Sequence, residues 1–352
     1  MRDQSAIIEF YRKYAPTFVA DEPAYAEVCL RLCEYRELAD LLAGHDDDAQ
    51  QPNLLFAAVH YLLLGGVDHP LAEAYRTADP ADVPPLFAEF VLDHADAVNE
   101  LLATRRTQTN EVGRSAVLSL MLHDAHQRAD RPLAWIDLGT SGGLNLNLDR
   151  FRIDYDVHGE IVSTGRTDAA LTLNCEVRGA APEVPVAHAD IAWRIGIDRA
   201  PIDVTDPNEA RWLQACLWPN RVDRHDRLAA AIEIATQTPS NIITGDAADG
   251  LREALQLAPS DAALVLTTTW VWYYLPESTK REVLDMLAEC DRPASWYSLE
   301  DRGVVDLGRD EPVDVGESLV GRVTFDDGKR QRAVAMAQSH PHGAWIDWWQ
   351  NR

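Results

Sequence analysis

Beyond Asp130-Arg131-Pro132 the apolar pattern changes from helical spacing to short apolar runs alternating with helical segments, and this change constrains the fold more than any other feature. Leu133 to Leu138, Ile191 to Ile197, Asn241 to Thr244, Ala263 to Thr268 and Ala294 to Leu299 read as strands. Gly143 to Phe151, Arg224 to Thr236 and Glu277 to Cys290 read as the helices between them. Such alternation implies a parallel sheet covered on both faces, because a parallel connection is long enough to hold a helix. Two stretches break the rhythm. Segments such as Leu171 to Val177, bounded by Gly159, Gly165 and Gly179, read as an inserted β-hairpin over about residues 152–185. Near the end, Arg322 to Phe325, a turn at Asp327-Gly328, and Arg332 to Ala337 read as an antiparallel hairpin. The expected fold is α/β, a Rossmann-like sheet with the outline of a class I methyltransferase over 131–352.

From Ile7 to about Gln127 the spacing is helical, so residues 1–130 are expected to form an all-α cap domain of four to six helices. Its expected breaks are Asp46-Asp47-Asp48 through Pro52, Gly65-Gly66, and Asp79-Pro80 with Pro84-Pro85. The 352 residues carry 57 acidic and 32 basic side chains, a formal charge of -25, which repels nucleic acid and anionic membrane surfaces. A small-molecule partner is therefore expected. No apolar run is long enough to span a bilayer and no signal-peptide pattern opens the chain, so the expected location is the cytoplasm. The five cysteines are few, odd in number and scattered, as suits reduced thiols, with Cys29 and Cys33 expected to be buried on one helix face. No compact ligand set points to a metal. Oligomeric state is open, a homodimer included.

The sharpest motif is Trp135-Ile136-Asp137-Leu138-Gly139-Thr140-Ser141-Gly142-Gly143-Leu144-Asn145, a strand running into glycines and then a helix. Glycine lets a ligand approach the main chain and the N–H groups of a helix start. A dinucleotide fingerprint is a poor fit, since Gly139, Ser141 and Leu144 stand where three glycines are needed. A nucleophile elbow fits Gly139-Thr140-Ser141-Gly142-Gly143, with Asp246 and His342 following in serine-hydrolase order. That fold, however, puts several strands before its elbow. An S-adenosylmethionine turn fits Asp137, Gly139, Ser141 and Gly143 as acid and three small residues.

Spacing downstream favours the last reading. A carboxylate ending the second strand can accept ribose hydroxyls, and one ending the third can face an adenine amino group. Asp198 and Asp246 hold those places, with Asp154 competing for the ribose role; each also suits a turn or a helix cap. Asn145, Ala247 and Thr268 complete the expected cofactor set. From the helical half, Gln108, Asn110 and Glu111 are expected to close the pocket, Glu111 as a catalytic candidate. Trp218 and Trp270 are candidate substrate walls, Tyr273 and His342 candidate catalytic groups, His342 as a general base. Burial for area alone would account for the aromatics equally well.

Several stretches together carry a family likeness: Gln51-Pro-Asn-Leu-Leu with His60-Tyr-Leu-Leu-Leu, Thr104 to Arg114, Gly143-Leu-Asn-Leu-Asn-Leu-Asp-Arg150, Arg194 to Asp203, Leu217-Trp-Pro219 and His340-Pro-His-Gly343. Over nearly its whole length the chain resembles the uncharacterised actinobacterial family DUF2332. That resemblance implies kinship with S-adenosylmethionine-dependent methyltransferases. Where the family pattern has a His-Ser pair before Val-Leu-x-Tyr-Leu, this chain has Thr267-Thr268-Thr269-Trp270-Val271-Trp272-Tyr273-Tyr274-Leu275. The change removes a titratable base and builds an aromatic wall, implying another substrate or catalysis by positioning. The expected function is methyl transfer to a small acceptor. A non-methylating binding or scaffolding protein of the same fold, and a hydrolase using Ser141, are the alternatives.

Overall fold

The computed structural model describes residues 2–179, 184–305, 307, 317–326 and 329–349. The expected turn at Asp327-Gly328 lies outside them. The chain forms two compact units, residues 1–109 with 206–226, and residues 110–205 with 227–352.

The first unit is helical: α1 (Gln4–Tyr14), α2 (Pro23–Arg31), α3 (Arg36–Ala43), α4 (Pro52–Leu64), α5 (Leu71–Thr77), α6 (Val83–Asp93) and α7 (Ala95–Thr104). With α8 (Ser115–Ala129), which belongs to the second unit, eight α-helices precede residue 130, more than the four to six expected. Several are short because prolines restart the chain; Pro23 and Pro52 open α2 and α4, where a missing N–H costs nothing. Pro84-Pro85 do not make a turn as expected; they sit in the first turn of α6, for the same reason. The core is aromatic, with Tyr25 stacked on Phe56 at 3.8 Å, and Phe18 set edge-on to Phe56 and Trp218. Of the cysteine pair, Cys29 is buried, but Cys33, past the end of α2, is exposed.

A later segment completes this unit. α9 (Pro207–Ala215), capped by the Asp206 side chain on the Asn208 N–H, leads to Leu217. The buried imidazole of His60 on α4 directs Nδ1 at the carbonyls of Ala215 and Leu217, 3.2 and 3.0 Å away.

The second unit is built on a sheet of eleven strands in the order β3-β2-β4-β11-β10-β9-β8-β7-β1-β5-β6. Their ranges are β1 Leu133–Leu138, β2 Arg152–Val157, β3 Glu160–Thr164, β4 Thr172–Gly179, β5 Ile191–Asp198, β6 Ile242–Thr244, β7 Ala263–Thr269, β8 Ala294–Asp301, β9 Ser318–Asp326, β10 Lys329–Ser339 and β11 Trp345–Trp348. β6, β5, β1, β7 and β8 are parallel neighbours, and β8, β9, β10 and β11 run on antiparallel. The expected insertion is a hairpin only in β2 and β3; β4, which carries Leu173 to Val177, pairs parallel to β2 and joins the main sheet through β11. Three further helices, α10 (Val222–Gln237), α11 (Ala247–Leu257) and α12 (Glu277–Ala288), connect the later strands.

Side-chain alternation divides the two faces of the sheet. Ala134, Ile136, Leu264, Leu266, Trp296 and Val323 share a core with Leu251 and Ala254 of α11 and Val283 and Leu287 of α12. On another side α8 touches β4 as well as β7, and Asp124 on α8 takes the Tyr297 hydroxyl (2.7 Å) and the Arg322 guanidinium (2.5 Å) from β8 and β9. One helix meeting strands that far apart in the order requires the sheet to curl around it, which explains why the first two turns of α8, Ser115 to Leu122, are buried on every side.

Candidate functional site

The chain leaves β1 toward β5 and β6, and leaves β7 toward β8 on the other side, so the strand order reverses between β1 and β7. Sheets of this kind expose a crevice beyond the carboxyl ends of the strands at such a reversal, and that is where they take ligands. Pairing of Leu138 with Ile197 and Thr268, and of Asp198 with Thr244, brings Gly139, Thr269, Asp198 and Thr244 out at one level, with Gly245 one residue beyond.

The glycine turn follows β1 directly. Gly139, Ser141 and Gly143 have φ of 79°, 53° and 68°, so the sequence needs small residues here for backbone reasons alone. Ile197 O accepts the N–H groups of Gly139 and Thr140 at 2.8 and 3.2 Å, and Asp198 Oδ2 accepts that of Ser141 at 2.7 Å. The helix expected over Gly143 to Phe151 is instead a 3-10 segment, Leu144–Arg150, broken at Asn147. Asn110 Oδ1 accepts the Leu144 N–H at 3.1 Å, while Asn145 takes the Ser115 hydroxyl and donates to Glu111 O. Asn110, Glu111 and Asn145 thus meet at the turn, as polar struts of its frame. The Glu111 carboxylate caps Gly113 N–H and lies 3.5 Å from Arg227.

The three strand-end acids have different surroundings. Asp137 is buried and accepts the Thr267 hydroxyl at 2.7 Å, which itself takes the Trp135 indole N–H at 2.8 Å. Burial raises its pKa to about 6, with Thr267, Thr140 and Arg114 opposing and Asp198 adding to the rise. Asp198 is half-buried, and its second oxygen takes the Ala200 N–H at 2.9 Å. Asp246 is exposed and caps α11 through the Ala248 N–H at 3.0 Å, with the buried Ala247 beginning the helix. Between them Gly245 faces open space, with no atom within 4 Å of where a side chain would start. Asp154 is engaged elsewhere, with Arg152 at 2.8 Å and the Ser163 hydroxyl at 2.6 Å in the β2–β3 hairpin.

Across the reversal, Thr268 is fully buried and its hydroxyl accepts the Trp296 indole N–H at 3.1 Å. Trp270, at φ 58°, donates its indole N–H to Ser318 Oγ at 3.0 Å under the Arg114 guanidinium. Val271 packs against Gly139, whose missing side chain would start 2.6 Å from it. Tyr273 and Tyr274 project beyond, their ring centres 3.8 Å apart and their planes tilted by 35°. Beneath them lies Glu300, which the sequence reading passed over because it ended β8 at Leu299. Its Oε1 accepts the N–H groups of Val271 and Trp272 at 3.2 and 3.1 Å, and burial raises its pKa to about 7 despite those amides, Thr268 and Arg114. Arg114, also passed over, closes the polar stretch that begins at Thr104. It donates through Nε to Pro341 O at 2.9 Å.

His342 sits beside this group through its backbone, packed on Gly113, and its N–H donates to His340 Nδ1 at 3.0 Å. Gln108 and Trp218 belong to the helical unit rather than the unit carrying the turn. Among the described residues there is no metal-binding cluster of histidine, cysteine and acid side chains, and no helix is long and apolar enough to cross a membrane.

A search of curated proteins finds no match to the chain. A family described as an uncharacterized protein conserved in bacteria matches residues 9–348, and the chain belongs to that family, DUF2332.

Proposed function

We propose that the protein binds S-adenosylmethionine at the carboxyl ends of β1, β5 and β6 and transfers its methyl group to a small acceptor held at the end of β7. The observation that carries this reading is the open Gly245 between two carboxylates, Asp198 and Asp246, at the carboxyl ends of β5 and β6 on one side of the reversal. The space at Gly245 is open, and both acids keep lone pairs for hydroxyl or amino donors beyond the backbone amides they already accept. Asp246 would take the adenine amino group and Asp198 the ribose hydroxyls, with the backbone of Gly139 to Gly143 running beside the methionine part. Asp137 serves from below, fixing the turn's base through Thr267.

When bound, the sulfonium supplies an electrophilic methyl group. The chain's contribution is alignment and exclusion of water: Val271 over Gly139 closes the turn, and the Trp270–Tyr274 wall borders the acceptor. The hydrolase reading needs an exposed serine Oγ at its elbow, whereas Ser141 is 5% exposed with its N–H fixed by Asp198. A non-methylating binder would use the same cradle and differ only in turnover.

Calorimetry with S-adenosylhomocysteine tests the cradle. Binding should appear, and Asp246→Ala should weaken it about tenfold. The same change removes a helix cap, at about 1 kcal/mol of stability. A protein that takes up none of this ligand at millimolar concentration would end the proposal.

A further inference from the structure

We propose that the exposed ring pair Tyr273–Tyr274, with Trp270 at its edge and the Glu300 carboxyl group behind it, is a seat for an organic ammonium group. This rests on the methyl-transfer reading in one respect only: if that reading holds, the acceptor is a small amine.

Large aromatic rings are normally covered, yet Tyr273 and Tyr274 are 43% and 70% exposed while lying 3.8 Å apart in the first turn after β7. Nothing in the fold requires two solvated tyrosines at the mouth of the crevice. Trp270 stands edge-on to Tyr273 at 6.4 Å and 87°, giving the cluster two differently directed ring faces. Aromatic faces attract cations, and this cluster already holds one, since Arg114 lies 5.8 Å over Trp270.

Glu300 supplies the second, independent observation. Only 1% exposed, it spends Oε1 on two backbone amides of the ring-bearing turn, while Oε2 has no partner within hydrogen-bond distance. A buried carboxyl oxygen left without a donor is costly unless a positive group or a donor comes to it. Its charge reaches Tyr273, whose pKa is raised first by burial and then by Tyr274 and Glu300. Arg114 is the guanidinium facing this group, and it is held by the carbonyls of Pro341 and Thr269. Against it stand two buried carboxyls, Glu300 and Asp137, on a chain of formal charge -25. From about pH 7 upward, where the Glu300 carboxyl group is ionised, rings with a carboxylate behind them select a cation over a neutral molecule of the same shape. In the transfer, a bound ammonium gives one proton to solvent, the freed nitrogen lone pair forms the new C–N bond, and the C–S electron pair stays on sulfur.

The test uses the full chain without any adenosyl ligand and two probes of nearly equal shape, choline and the uncharged 3,3-dimethylbutan-1-ol, followed by calorimetry. Choline should bind about tenfold tighter than the alcohol. Tyr273→Ala with Tyr274→Ala should erase that preference with little change in the melting temperature, because the two rings are 43% and 70% exposed. Glu300→Gln should reduce choline binding and leave the alcohol unchanged. Equal affinity for the two probes, or a preference untouched by loss of the two rings, overturns the seat. A choline preference that survives in a protein unable to bind S-adenosylhomocysteine upholds the seat and removes the methyl-transfer reading alone.

Discussion

Replacing Gly343 by alanine should destabilise the sheet-bearing unit by about 3 kcal/mol, read as a lower urea midpoint at unchanged slope. Gly343 has φ 74°, where a side chain costs about 1 kcal/mol or more. Its new methyl group would also fall well inside contact with Gly113 O, and 3.0 Å from Arg114 N. Those are backbone atoms, which cannot rotate away. Gly113 is pressed from the other side in the same manner by His342 O, and Arg114 binds Pro341 O, so the two segments hold each other at the crevice. Gly159→Ala is the control: it too has positive φ, 94°, but nothing lies within 4 Å, leaving only the conformational cost of about 1 kcal/mol. Equal losses for the two substitutions would show that the close approach contributes nothing.

Local pattern made most of the sheet legible. β1 and β7 are buried along their whole length and open with apolar runs, Leu133 to Ile136 and Ala263 to Leu266, because both of their faces are covered. What pattern could not supply was pairing at long range. Trp345–Trp348 is an aromatic run that becomes a strand by pairing with β10 just before it and, in parallel, with β4, more than 160 residues earlier. The segment 206–226 reads as part of an α/β alternation, and nothing local says that His60 will gather its carbonyls into the helical unit. The hairpin boundary was blurred for the same reason, since β4 resembles β3 in composition but pairs with β2 in the opposite sense.

Site residues divide along the same line. Among the candidates, Asp137, Asp198 and Asp246 could be placed at strand ends because an apolar run closing on an acid is visible in the sequence. Their present partners could not, because the Ser141 N–H reaches Asp198 only once Ser141 adopts positive φ. Asn110 and Glu111 were visible as a polar cluster, but their tasks depend on how the 3-10 segment after the turn is capped. Glu300 gave a faint signal, an acid one residue past an apparent strand end, and its significance arises from the turn after β7 folding over it.

His60 should make the stability of the helical unit fall in mild acid. Burial, and secondarily His225 set edge-on at 5.4 Å, lower its pKa from 6.5 to about 4, outweighing the two carbonyls that favour the charged form. Between those values the unfolded chain binds a proton that the folded chain refuses, so stability rises with pH across the window. The contribution is fully present above pH 6.5 and is lost as pH falls toward 4, by about 3 kcal/mol. Glu22, Asp137 and Glu300 act in the opposite sense. Burial raises their pKa values to about 7, 6 and 7, so their contribution is present in acid and lost as pH rises to those values. The whole protein's curve therefore mixes the two signs, and the imidazole has to be isolated by difference. Glutamine at position 60 keeps an N–H donor for the carbonyls of Ala215 and Leu217 but does not titrate. The unfolding free energy of the natural chain minus that of His60→Gln should drop by about 3 kcal/mol from pH 7.5 to pH 4, the three acids cancelling. A flat difference would mean that the imidazole is solvated or protonated within the fold, and that the hold of α4 on residues 215–217 does not depend on a neutral histidine.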